Sequence, residues 1–144
     1  MRILAKQRVV VVGVDGSPNS MAALRRGAAE AERREARLDV VQISRSGSSW
    51  TIMRNASDWL RLRSLVAAAL PTAQHVTTRL RIAHGTPAQA LINAARGAEM
   101  LVIGAREHSE HGSPLGGDTV PAVMSGAQCE VVVCADQGSS VRGG

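Results

Sequence analysis

The stretch that decides the fold is "VVVVGVDGSP", Val9 to Pro18. Val9 to Val14 is a short, continuous apolar run rich in β-branched side chains, the pattern of a strand buried on both faces, since a half-exposed strand would alternate with polar residues. The run stops at Asp15, and Gly16, Ser17 and Pro18 follow. Ser17 can cap a helix and Pro18 can open it, because a first-turn residue needs no N–H for the helical ladder. Met21, Leu24 and Ala28 then recur on one helical face, and the helix is expected to run to about Arg37. A doubly buried strand feeding a helix is the first half of a βαβ unit.

The rest of the chain repeats that alternation. "LDVVQIS", Leu38 to Ser44, reads as a second strand, and "SRSGSSW" after it as a loop. Trp59, Leu62, Val66 and Leu70 keep helical spacing until Pro71, where a proline ends the turn. Val76 to Ala83 alternates as a third strand. Thr86 is placed to cap a helix that begins at Pro87 and is terminated by Gly97. "MLVIGA", Met100 to Ala105, is a fourth strand. A loop, a helix over Thr119 to Ser125 and the strand "EVVVC", Glu130 to Cys134, complete the set. Regular alternation of strand and helix predicts parallel crossovers and an open, doubly wound, Rossmann-like sheet of five parallel strands with helices on both faces. There is no internal repeat. Residues 8–135 are read as one domain, with 1–7 and 136–144 as flexible polar or glycine-rich tails.

Composition narrows the function. The 144 residues suit one domain, and 44% apolar with 20% charged residues is the balance of a folded globular protein. Phe and Tyr are absent and the only tryptophans are Trp50 and Trp59. The core must therefore be aliphatic, and the stacking platforms of single-strand or RNA binding are missing. A net charge of +5 would favour a polyanion. However, arginines 25, 26, 33, 34 and 37 are interleaved with Glu30, Glu32 and Glu35, which reads as a solvated helix face, so nucleic acid is not the expected partner. Cys129 and Cys134 fit neither a redox pair nor a zinc framework and are expected to be reduced and inert. No run is long enough for a membrane span, and no cleavage signal follows the first apolar run, so the reading is cytoplasmic.

In open α/β sheets, ligands bind beyond the carboxyl ends of the strands, where the strand order reverses. Asp15 stands at one such end and Gly104 at another, which together suggest a nucleotide-sized cleft; Asp15 could equally bond its own turn. "EHSEH" within 107–111 offers Glu107, His108, Glu110 and His111 as ligands for a divalent metal, although the spacing matches no established zinc pattern and solvated loop residues are the alternative, so no metal is assigned. His75 and His84 read as surface or loop residues. No catalytic set emerges: Ser17 lacks the nucleophile-elbow context, a Walker A loop is absent, and Lys6, the only lysine, sits in the tail. The chain is not expected to be an enzyme.

Three segments together carry a family resemblance: "VVVVGVDGSPNSMAALRRGAAEA", "HGTPAQALINAARGAEMLVIGAR" and "GDTVPAVMSGAQCEVVV". In their order and spacing they resemble the universal stress protein family over nearly the whole chain, with only 44–74 matching loosely. The resemblance implies a homodimer through the last strand, Glu130 to Cys134, and a site for ATP or another adenine nucleotide. It places Gly13, Val14, Asp15 and Ile43 at the adenosine end and Gly104, Gly117, Asp118 and Thr119 along the phosphates. Nucleotide-binding members carry G-x2-G-x9-G-S/T; here Gly104 and Gly117 fit, but Glu107 takes the second glycine position and Asp118 the hydroxyl position. A carboxylate ~5 Å from a phosphate oxygen, at an effective dielectric of ~20, repels it by about 3 kcal/mol, on the order of a hundredfold in affinity. The resulting expectation is a stress-response protein that acts by binding and dimerisation, with ATP affinity weakened or lost. The alternative is an ATP-dependent switch in which both acids turn outward, Asp118 capping the following helix.

Overall fold

The computed structural model describes residues 8–14, 18–44, 51–71, 78–84, 86–105, 119–135 and 140–143. The elements, in chain order, are β1 (Val9–Val14), α1 (Pro18–Arg33), β2 (Arg37–Ser44), α2 (Thr51–Ala69), β3 (Thr78–His84), α3 (Pro87–Ala94), β4 (Met100–Ala105), α4 (Thr119–Gly126), β5 (Glu130–Ala135) and β6 (Ser140–Gly143). The sheet order is β3-β2-β1-β4-β5-β6, and the first five strands are all parallel, as the alternation of elements predicts.

β1 lies at the centre, with β2 on one side and β4 on the other, so Val10 to Val14 are buried completely. That explains the unbroken valine run: neither face of this strand meets water. Alternate residues feed two separate cores. Val10, Val12 and Val14 pack with Leu24, Ala28, Leu62 and Val66 under α1 and α2. Val11 packs on the opposite face with Leu91, Leu101, Ile103 and Val123 under α3 and α4. Gly27 lets α1 settle onto β1, since a Cβ at that position would lie 2.1 Å from Val12 Cγ2.

A helix end, a helix cap and a tail depart from the sequence reading. α1 ends at Arg33 rather than near Arg37. Ala36 N–H donates to the Ala31 carbonyl at 2.8 Å and Glu35 N–H to that of Glu32 at 3.2 Å, with Glu35 at φ 53. This is a Schellman-type stop in which a glutamate takes the left-handed position usually given to glycine. Thr86 sits at the N-terminus of α3 but makes no side-chain cap; its carbonyl accepts from Ala90 N–H at 2.9 Å, while Pro87 opens the helix. Within the segment read as a tail, Ser140–Gly143 forms β6, antiparallel to β5, with Val131 opposite Gly143 and Cys134 opposite Ser140.

The arginine-rich helix face is also more structured than a solvated one. Glu30 is buried and receives Arg26, Arg33 and Arg34, with Arg26 at 3.4 Å and Arg34 at 3.2 Å. Burial alone would push the Glu30 carboxyl up, but hydrogen bonds and charge from Arg33 and Arg34 outweigh it, and the pKa lies below the ordinary carboxylate value.

Candidate functional site

The chain steps outward from β1 to β2 to β3 and then returns to the other side of β1 as β4. The helices that follow β1 and β4, α1 and α4, lie on opposite faces of the sheet, the arrangement that in open α/β sheets marks the switch point where ligands bind. Gly13 pairs with Val41 on one side and Ile103 on the other; Val14 pairs with Gln42, and Gly104 follows Ile103. The register thus brings Gly13, Val14 and Gly104 together at the switch point. Ile43 lies one residue beyond Gln42, on the neighbouring strand. Thr119 begins α4, which packs on α3 and β5. Asp15, Gly117 and Asp118 lie outside the described residues, as do Glu107, His108, Glu110 and His111.

Gly13 has a packing reason to be glycine. A Cβ there would stand 2.6 Å from Leu91 Cδ2 and 3.3 Å from Ile103 Cγ2, so its absence lets α3 close onto the sheet. Val14 is buried in the core under α1 and Ile43 in the core under α3. Gly13, Val14 and Ile43 thus lie at the carboxyl ends of β1 and β2.

The described charge clusters lie at the other pole. Glu30 and its arginines stand near the end of α1, and Arg37 clamps Asp39 with two hydrogen bonds, 2.8 and 3.2 Å, where β2 begins. Both cysteines are free. Burial pushes the Cys129 thiol up, with the Glu130 charge adding to it, and burial likewise raises Cys134 against the opposing charge of Arg26. Neither holds much reactive thiolate at neutral pH. No three metal-ligating side chains gather among the described residues, and no helix there is long and apolar enough to cross a membrane. Away from the switch point, β3 and α3 bound a groove containing Arg81 and Asn93. The alternation of Val76 to Ala83 that marks a strand also sets Arg79 and Arg81 on one face, the signal in the sequence for this groove.

Residues 7–135 match the model of the universal stress protein family, and the chain belongs to that family. Among curated relatives it is 29% identical over 141 residues to the universal stress protein Rv2005c of Mycobacterium tuberculosis, an alignment covering 89% of this chain and 48% of the relative. The chain therefore spans about half the length of the curated relatives it matches. Among solved structures it resembles a universal stress protein in complex with cAMP, with 26% identity, a TM-score of 0.59, and 90% of this chain and 97% of the other covered. The Archaeoglobus fulgidus universal stress protein in complex with dAMP shares the fold at 17% identity and a TM-score of 0.59, with 90% and 98% covered.

Proposed function

We propose that this chain is a stress-response binding protein that seats an adenine nucleotide with a short phosphate tail at the β1–β4 switch point and takes ATP weakly or not at all. It works by binding and by dimerisation in the cytoplasm, without catalysis. The observation that carries this reading is the placement of Glu107 and Asp118 at the glycine and hydroxyl positions of the family's phosphate loop. Each acid repels a phosphate oxygen, and the penalty grows with every phosphate added. Complexes of structural relatives with cAMP and dAMP, each carrying a single phosphate, support the preference for a short tail.

Isothermal titration tests it. AMP or cAMP is expected to bind at least about tenfold more tightly than ATP with magnesium, and Glu107→Gly combined with Asp118→Ser is expected to recover ATP binding. Micromolar ATP affinity in the unaltered protein would overturn the reading.

The dimer reading needs a revised surface. Glu130 to Cys134 is not a bare edge, because β6 pairs along Val131 to Cys134. Pairing of two copies through β5 thus competes with β6, and deletion of residues 136–144 is expected to strengthen self-association in sedimentation velocity. A shortened chain that sediments as a monomer would remove this edge from the dimer.

A further inference from the structure

β3 is the outer strand at the end of the sheet opposite β6. Between it and α3 runs a groove of about 240 Å³ lined by Arg81, Ile82, Ala83, Ala90, Asn93 and Ala94. Arg79, Arg81 and Ala83 share the face of β3 turned toward α3, since strand side chains alternate. Ala90, Asn93 and Ala94 fall on one face of α3, three and four residues apart. The groove is two strands away from the β1–β4 crevice and separate from the nucleotide reading.

Its electrostatics are unbalanced. The Nε of Arg81 is buried and donates to no acceptor among the described residues, so that N–H bears its desolvation cost unrepaid. Among the described residues neither Arg79 nor Arg81 forms an ion pair. The acid facing Arg79 across the sheet is Asp39, and both its oxygens are taken by Arg37. Asn93 accepts from Gln89 Nε2 through its Oδ1 at 3.0 Å, which leaves its NH2 group to donate. Two donors and an excess of positive charge thus meet a wall of methyl groups. The larger groove on the other side of β3, beside Arg63 and Leu80, offers no such orphan: the Arg63 guanidinium lies over the Trp59 ring, 5.6 Å from its centroid.

We propose that the β3–α3 groove binds a small organic anion, an oxyanion head on a short apolar stem. The half-buried Arg81 guanidinium holds the head, the Asn93 amide donates a second hydrogen bond, and Ala83, Ala90 and Ala94 contact the stem. A guanidinium fork fits carboxylate and phosphate alike, and a groove below the usual range of ligand pockets, about 300–1,000 Å³, limits the guest to a few heavy atoms.

The test follows the arginine Nε–Hε resonances of the full chain by NMR during titration with sodium butyrate and, separately, inorganic phosphate, at constant ionic strength set by sodium chloride. Saturable movement of the Arg81 signal at millimolar anion is expected, with butyrate tighter because of the apolar walls. Saturation by phosphate alone would retain the anion site and overturn the stem. Arg81→Gln, followed through backbone amides of α3, is expected to weaken binding at least about tenfold. Asn93→Leu fills the groove from an exposed position, so it carries the test if the first variant does not fold. A linear response shared with Arg25 and Arg96 would overturn the proposal, as would saturable binding undiminished in Asn93→Leu.

Discussion

One face of the sheet is closed by helices of 16 and 19 residues, the other by two helices of eight. Eight helical residues reach about 12 Å, whereas a strand of six to eight residues extends about 20 to 26 Å. The α1–α2 face can therefore be roofed along the strands, while α3 and α4 cover only part of theirs. The difference separates two tasks. Glu30, buried on α1 among its arginines, belongs to the long-helix face; the groove beside Arg81 sits under a short helix. Both faces rest on the same central valines, so aperture is decided by helix length rather than by the strands.

Two glycines allow that contrast to be tested. Gly27→Ala on the α1 face is expected to cost the most, about 1 to 3 kcal/mol from overpacking against stiff, fully buried Val12, more than the ~1 kcal/mol that alanine gains over glycine within a helix. Gly13→Ala meets the end of the longer Leu91 side chain under a short helix, and about 1 kcal/mol is expected. Urea unfolding of both variants ranks them; a larger loss at Gly13 would make the α3 face the stiffer one.

A smaller effect probes the charge on the α1 face. Glu30→Gln is expected to lower stability by about 1 kcal/mol at neutral pH, since hydrogen bonds to a charged acceptor are replaced by neutral ones. The folded pKa of Glu30 lies below its ordinary 4.5. Its contribution is therefore complete above the unfolded value and lost as pH falls through the folded one. The gap between the two proteins should hold at neutral pH and narrow below about pH 4.5, readable from thermal melts in a pH series. A gap that widens on acidification would contradict the stated direction of the shift.

β1, β4 and β5 were legible as compact apolar runs and β3 by its alternation, and β1 disclosed its central place by having no polar residue between Val9 and Val14. Helix starts were legible where proline marks them, at Pro18 and Pro87. The end of α1 was not, because Glu35 adopts a conformation that sequence signals assign to glycine. β6 was hidden for a different reason: "SVRG" has no apolar alternation, and it forms a strand against the unpaired edge of β5, a partner several residues away that local pattern cannot reveal. At the candidate site, Asp15 and Gly104 were read from their place at strand ends, and Gly13 from the family resemblance. That Gly13 also accommodates Leu91 depends on where α3 lands, which only the packed fold displays. Arg81 was visible as a residue but not as an orphaned donor, since that requires knowing what surrounds it.

The reversed direction of β6 has a practical consequence. Because Gly143 lies beside Val131, near the start of β5, the last described residues lie at the same pole as Val9, opposite the carboxyl ends of β1 and β4. A fluorophore or affinity handle attached beside Val9 or Gly143 would therefore stand away from the carboxyl ends of β1 and β4, leaving that pole free for surface-immobilised measurements.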